Sequence, residues 1–151
     1  MNSIFNKDFL EFCQCLNNAE VEYILVGGYS VILHGYPRTT GDLDIWVNRT
    51  SFNYDKLLTA FLDFRLPVFD MTKQAFLDVD KFDVFRFGKP PVAIDLITEL
   101  KGMNFHECYS NAKTHVFEDV PIRYISFEDL ILAKRAAGRA KDINDIKNLE
   151  K

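Results

Sequence analysis

The chain is poor in the side chains that build redox and soft-metal sites, with three cysteines and three histidines in 151 residues. Cys13 and Cys15 sit two apart in a helical pattern and so do not face one another, and Cys108 is distant. That spacing and the odd count argue against a disulfide framework and against a zinc site, and fit reduced thiols. Long apolar runs are also absent. None approaches the ~20 residues of a membrane-spanning helix. The opening MNSIFNKDF lacks a charged-then-apolar leader layout, so a cytoplasmic protein with no membrane partner is expected. Positive charge is in deficit, 18 Lys and Arg against 22 Asp and Glu, for a net charge of −4. Broad electrostatic adhesion to nucleic acid is therefore excluded, although RNA held at one local patch is not. Seven glycines and five prolines form no repeat, linker or low-complexity tract. What the chain does have is 48% apolar and 14% aromatic residues, enough for one buried core and incompatible with disorder. A single domain over 1–151 is expected, with the helical segment 126–151 part of the same unit.

The periodicity predicts an α/β (α+β) order. Helical spacing covers Lys7 to Asn18, with Phe9, Leu10, Phe12, Cys13 and Leu16 on one side. Val21 to Val26 reads as a strand, Tyr29 to His34 as a short helix and Asp42 to Val47 as a second strand. A helix capped by Ser51 or Asn53 runs to about Phe64, with Tyr54, Leu57, Leu58, Phe61 and Leu62 toward the core. Residues 66–80 are ambiguous. Lys81 to Phe87 alternates like a strand, Gly88-Lys89-Pro90-Pro91 reads as a turn, and Val92 to Ile97 as another strand. Phe105 to Ala112 is a short helix. Thr114 to Phe117 and Ile122 to Ile125 form a hairpin or two edge strands. Ser126 caps a helix reaching Ala137, Gly138 breaks it, and a last helix begins near Lys141.

Chemistry concentrates between Val26 and Val47. Strand alternation puts Asp42 and Asp44 on one face, inside the apolar run Leu43, Ile45, Trp46, Val47. Paired like charges in such a setting repel and lose solvation, so they need a cationic partner. A hard divalent ion suits oxygen ligands with no nearby His or Cys. Upstream, Gly27-Gly28 ends a strand and opens a helix, a geometry that lets phosphate approach backbone N–H groups, with Ser30 able to add a hydroxyl. A third carboxylate, Asp95, lies in the apolar strand VAIDLI. Together these suggest a nucleoside triphosphate with its Mg²⁺, or Mn²⁺ in its place.

The order apolar–Gly27-Gly28, then Asp42-Leu43-Asp44, then the strand Asp95, resembles the signature of the DNA polymerase β-like nucleotidyltransferase superfamily. HGYPRTTGDLDIWV, FGKPPVAIDLIT and ISFEDLILAKRAAGRAKDINDI more closely resemble small bacterial nucleotidyltransferase-like proteins related to abortive-infection nucleotidyltransferase toxins. The resemblance implies a minimal nucleotidyltransferase fold. Its small mixed sheet carries the carboxylates on adjacent strands, with the C-terminal helices packed near the cleft. It implies that Asp42, Asp44 and Asp95 are catalytic and hold the metal. It also maps lysine and aspartate positions of the toxins' active site onto Lys134, Lys141, Asp142 and Asp145, and less directly onto Arg139.

Each assignment has a plainer competitor. Asp42 could cap the strand after Gly41, and Asp95 could pair with a buried Arg or Lys. Arg38, in the loop before Asp42, is either a solvated cation or a planar fork for triphosphate. Thr39 and Thr40 could bond phosphate or only the loop backbone. His34 is a cap or packing residue, and His106 and His115 carry no assigned chemistry. Lys134 and Arg135 could simply complement a helix C-terminus. Under the functional reading, Lys134 shares a buried face with Leu130 and sends a free ammonium into the cleft, Lys141 lies beside the phosphates, and Arg135 points elsewhere. The expected reaction moves a nucleoside monophosphate from an NTP to a hydroxyl on an RNA end, a protein or a small molecule. The resemblance also implies a homodimer or an assembly with a small partner protein. The alternatives are a non-catalytic nucleotide-binding or toxin–antitoxin regulatory module on the same fold, and an interaction protein whose aspartates are salt-bridged.

Overall fold

The computed structural model describes residues 5–80, 83–89 and 92–151. Among them, six strands form one mixed sheet in the order β3-β4-β2-β1-β6-β5. These are β1 (Tyr23–Val26), β2 (Leu43–Val47), β3 (Val84–Lys89), β4 (Val92–Ile97), β5 (Lys113–Phe117) and β6 (Val120–Tyr124). At the centre, β2 runs antiparallel to β1 and parallel to β4. β6 joins β1 in parallel, so it is interior, and only β5 of that hairpin is an edge. The expected hairpin is present, and of the alternative, two edge strands, only β5 holds, because a parallel pairing between segments this distant leaves no local sequence signal.

The helices are α1 (Lys7–Asn18), α2 (Gly27–Leu33), α3 (Ser51–Phe64), α4 (Lys73–Leu77), α5 (Phe105–Asn111), α6 (Phe127–Ala137) and α7 (Ala140–Leu149). Strand alternation sorts the sheet into two faces. Leu25, Leu43, Ile45, Phe85, Phe87 and Leu96 face the larger core with α1 and α3. Ile24, Val26 and Trp46 turn the other way, toward Ile125 and Leu130 beside α6 and the rings of α5. That second face is only partly covered, and the uncovered part is the site.

Local details depart from the expectations in instructive places. α3 is capped by Thr50, whose hydroxyl accepts from the Asn53 N–H. Asn53 is buried instead and links β1 to β2, accepting from the Glu22 N–H and donating to the Glu22 and Asn48 carbonyls. Leu58 and Leu62 were expected to face the core, yet Leu62 is 81% exposed and Leu58 lies at the same surface. The buried stripe of α3 is narrower, through Tyr54, Leu57, Ala60 and Phe61. The ambiguous segment contains α4, a five-residue helix capped by Thr72 that seats Phe76 against Tyr54. β1 begins at Tyr23 rather than Val21, α2 at Gly27 rather than Tyr29, and α7 at Ala140 rather than Lys141. Gly88 and Lys89 belong to β3, and the expected strand start at Lys81 and the Pro90-Pro91 turn lie outside the described residues. No helix among the described residues is long and apolar enough to cross a membrane.

Candidate active site

Register builds the site. Asp44 on β2 lies directly opposite Asp95 on β4, Val26 of β1 opposite Asp44, and Arg86 of β3 opposite Asp95. Directly opposed residues share a sheet face, so Arg86, Asp95 and Asp44 form one row across three strands. Asp42, just before β2, reaches the same cluster. Arg86 Nη2 lies 2.6 Å from Asp42 Oδ2, and Arg86 Nε lies 3.1 Å from Asp95 Oδ1. Burial, then the charges of Asp95 and Asp42, push the Asp44 carboxyl up to about 7, with Lys141 pulling the other way.

The glycine turn touches this row. Gly27 has φ +70°, and a Cβ there would overlap the Asp44 carboxylate. A Cβ on Gly28 would overlap the Thr40 hydroxyl and come within 3.0 Å of Arg38 Nη2. Close approach requires both glycines, and backbone conformation requires Gly27 as well. Ser30 is fully buried behind the turn, and its hydroxyl donates to the Gly27 carbonyl at 2.7 Å. It is absent from the cleft lining, contrary to its expected place there. α2 has only seven residues, so charge at this end of the cleft comes chiefly from side chains.

The row faces a cleft of about 540 Å³. Its near wall includes Gly27, Gly28, Arg38 and the three aspartates, and its far wall is α6 and α7 with Leu130, Ala133, Lys134, Arg139 and Lys141. Leu130 is buried and Lys134 shares its face, as the helical spacing predicts. The ammonium is not free, however. Lys134 Nζ lies 2.9 Å from Asp145 Oδ2 and 3.4 Å from Asp142 Oδ1, and all three residues are buried. Burial alone would raise the Asp142 carboxyl, but hydrogen bonds from Arg139 and the charge of Lys134 hold it below the ordinary carboxylate range. Arg139 contacts it through Nε at 2.6 Å and Nη2 at 3.1 Å. Arg38 Nε reaches toward Asp145 Oδ1 at 3.8 Å. Arg135 points away and pairs with Glu150 at the surface.

The structure thus brings together Asp42, Asp44, Asp95, Gly27, Gly28, Arg38, Lys134 and Lys141, and leaves Ser30 behind them. Arg86 is the residue that the sequence reading missed. It alternates outward on an edge strand and looks like a solvated cation. The hairpin register opposite Asp95 was the available signal. As the side chains stand, no group of three or more His, Cys, Asp or Glu among the described residues is arranged to hold a metal. Arg86 bridges the carboxylates instead. His34 caps α2 and lies 2.7 Å from the Ile125 carbonyl, a packing role. Burial pushes the Cys13 and Cys108 thiols each up to about 12, which removes them as nucleophiles.

A glycine turn packed on a carboxylate row and facing a basic wall is an arrangement suited to nucleotidyl transfer. The chain belongs to the family described as "Nucleotidyltransferase of unknown function (DUF6036)", whose model matches residues 9–150. No curated protein sequence matches it. Among solved structures it is similar to the lincosamide antibiotic adenylyltransferase LnuA with lincomycin bound, at 18% identity and a TM-score of 0.57 over 99% of each chain. It also matches JHP933 from Helicobacter pylori at 16% identity and a TM-score of 0.45, over 95% of this chain and 66% of that one. The family makes this chain a transferase with a nucleoside triphosphate as donor, and its fold is the DNA polymerase β-like nucleotidyltransferase fold.

Proposed function

We propose that the protein is a metal-dependent nucleotidyltransferase that moves a nucleoside monophosphate from Mg-NTP to a hydroxyl on an RNA end, a protein or a small molecule. The observation that carries this reading is the Asp44–Asp95 pair opposed in register, with Asp42 beside it and Gly27 against Asp44. Among the described residues the cleft lining offers carboxylate oxygens and no sulfur or imidazole, a donor set that fits Mg²⁺ or Mn²⁺. Asp42, Asp44 and Asp95 would hold the ion once Arg86 withdraws. When bound, the ion supplies charge stabilisation at the α-phosphate and at the departing pyrophosphate.

The other roles belong to the chain. Gly27 and Gly28 let the Asp44 carboxylate, Thr40 and Arg38 close against the turn, and Arg38 and Lys141 supply positive charge for the phosphates. Lys134, through its two aspartates, fixes α7 against α6 and so sets the position of Lys141. The acceptor hydroxyl attacks the α-phosphorus, the bond from that phosphorus to the bridging oxygen breaks, and the acceptor's proton passes to Asp95. Positioning and electrostatics, rather than covalent catalysis, supply the rate. Reduced, buried thiols fit a cytoplasmic enzyme, and the exposed Phe52, Leu62 and Phe69 are consistent with a homodimer or a small protein partner.

A thermal-shift panel of the four NTPs, with and without Mg²⁺, tests the reading. Saturating Mg-NTP should raise the melting temperature by roughly 5–10 °C. Asp44→Asn should abolish the shift, and an equal shift in that variant would place the nucleotide elsewhere. A second reading, a nucleotide-binding regulatory module within a toxin–antitoxin pair, draws on the Arg86 bridge across Asp42 and Asp95. It predicts the nucleotide-induced shift but no pyrophosphate release with any candidate acceptor. Lincosamides belong in that acceptor panel because LnuA shares the fold.

A further inference from the structure

Two of the cationic side chains that serve the acidic groups of the cleft are built differently. Lys134 is only 7% exposed and locked between two buried aspartates. The Arg86 side chain is 53% exposed and sits on an edge strand, facing Asp95 across the β3–β4 hairpin. It makes a strong contact with Asp42 through Nη2 and reaches Asp95 through both Nη2 and Nε. The fit to Asp95 is incomplete. Asp95 Oδ1 is buried, and despite Nε at 3.1 Å it has no hydrogen bond of acceptable geometry. The guanidinium contacts two of the three carboxylates, and Asp44, which feels the charge of Lys141, has no ion pair among the described residues, so the cluster stays incompletely neutralised while the cation's place is taken.

We propose that Arg86 is the resident counter-cation of the Asp42–Asp44–Asp95 cluster, and that a divalent metal binds there only by displacing it. The inference rests on the metal-dependent reading above. Arg86 then sets the metal affinity of the nucleotide-free protein. Its exposed, flexible stem lets it leave into solvent, which Lys134 cannot do. A free ion must displace the guanidinium unaided. A metal carried by a triphosphate brings phosphate oxygens that can receive it, since Arg suits carboxylate and phosphate alike. The site thereby discriminates against bare metal. The competing account is a permanent structural bridge that only ties β3 to the loop before β2.

Mn²⁺ titration of the nucleotide-free protein, followed by electron paramagnetic resonance, separates the two. Arg86→Gln should bind Mn²⁺ about tenfold more tightly than wild type, the scale of one neighbouring charge. Arg86→Lys, which keeps the charge, should stay within about threefold of wild type. Unchanged or weaker Mn²⁺ binding in Arg86→Gln overturns the proposal. In the wild type, Mg²⁺ should shift the Arg86 Nε–H resonance, and a resonance unmoved at saturating Mg²⁺ also overturns it, without relying on a variant. Asp44→Asn distinguishes the two levels of the argument. If it loses Mn²⁺ while Arg86→Gln is unchanged, only this inference fails. If it retains full Mn²⁺ affinity, the metal site fails and this inference fails with it.

Discussion

Replacing Asp44 by asparagine should cut the rate of nucleotidyl transfer by on the order of 10³-fold while making the nucleotide-free protein more stable. The two effects share one cause. Asp44 is held in a half-buried position opposite Asp95, with Asp42 nearby, and its carboxyl is pushed up to about 7. In the unfolded chain it titrates near ~3.9. Between these values the native state binds more protons than the unfolded one, so stability falls as pH rises from about 4 to about 7. Asparagine removes that dependence. The gain should be absent near pH 4 and on the order of 2 kcal/mol above pH 7, or roughly 4–8 °C in melting temperature. Melting curves of wild type and Asp44→Asn across pH 4–8 give the check. A constant difference across that range would mean that the carboxyl titrates normally and that the row is not strained.

The second large effect lies in the far wall. Lys134→Ala should destabilise the fold by about 3–5 kcal/mol, because Asp142 and Asp145 are buried and would lose their shared cation. From the sequence, with a free ammonium expected, the same substitution weakens triphosphate binding and leaves the fold intact. Arg135→Ala, which removes only an exposed pair with Glu150, should cost less than about 1 kcal/mol. Adding Asp145→Asn to Lys134→Ala should recover part of the loss by removing one uncompensated charge. Denaturant unfolding of the single and double variants decides it. Equal, small losses for Lys134→Ala and Arg135→Ala would show that the buried ion cluster contributes little.

Features with a strong local signal were legible in the sequence. α1 and α6 have the expected bounds because each pairs an apolar stripe with clear ends, Ser126 and Gly138 in the case of α6. Asp44 and Asp95 were legible because a carboxylate inside an apolar strand demands an explanation, and Asp42 stood out only by its spacing of two from Asp44. What escaped was set by distance or by shortness. α4 is too short to show a period. The parallel neighbour of β1 is fixed by tertiary packing. The partners of Lys134 lie in the next helix, across the Gly138 turn, so the sequence showed charge without pairing. Arg86 escaped because only strand register reveals what it faces. Leu58 and Leu62 look like core residues until the helix is seen to bury a narrow stripe.

The parallel pairing of Leu25 with Tyr124 joins segments about a hundred residues apart. The aspartate row needs only β1 to β4, whose pairings are made among nearer neighbours. The far wall hangs from the segment after β6, where Ile125 N–H bonds the Leu25 carbonyl and α6 begins just beyond. Closing that long loop is the entropically demanding event in folding, so the half-site with the carboxylates can form before the half-site with the lysines. A triphosphate that bridges both halves therefore finds little to grip in the folding transition state. Its stabilisation should appear as slower unfolding with little change in the refolding rate, so the bound nucleotide acts as a latch on the finished molecule rather than a template for making it.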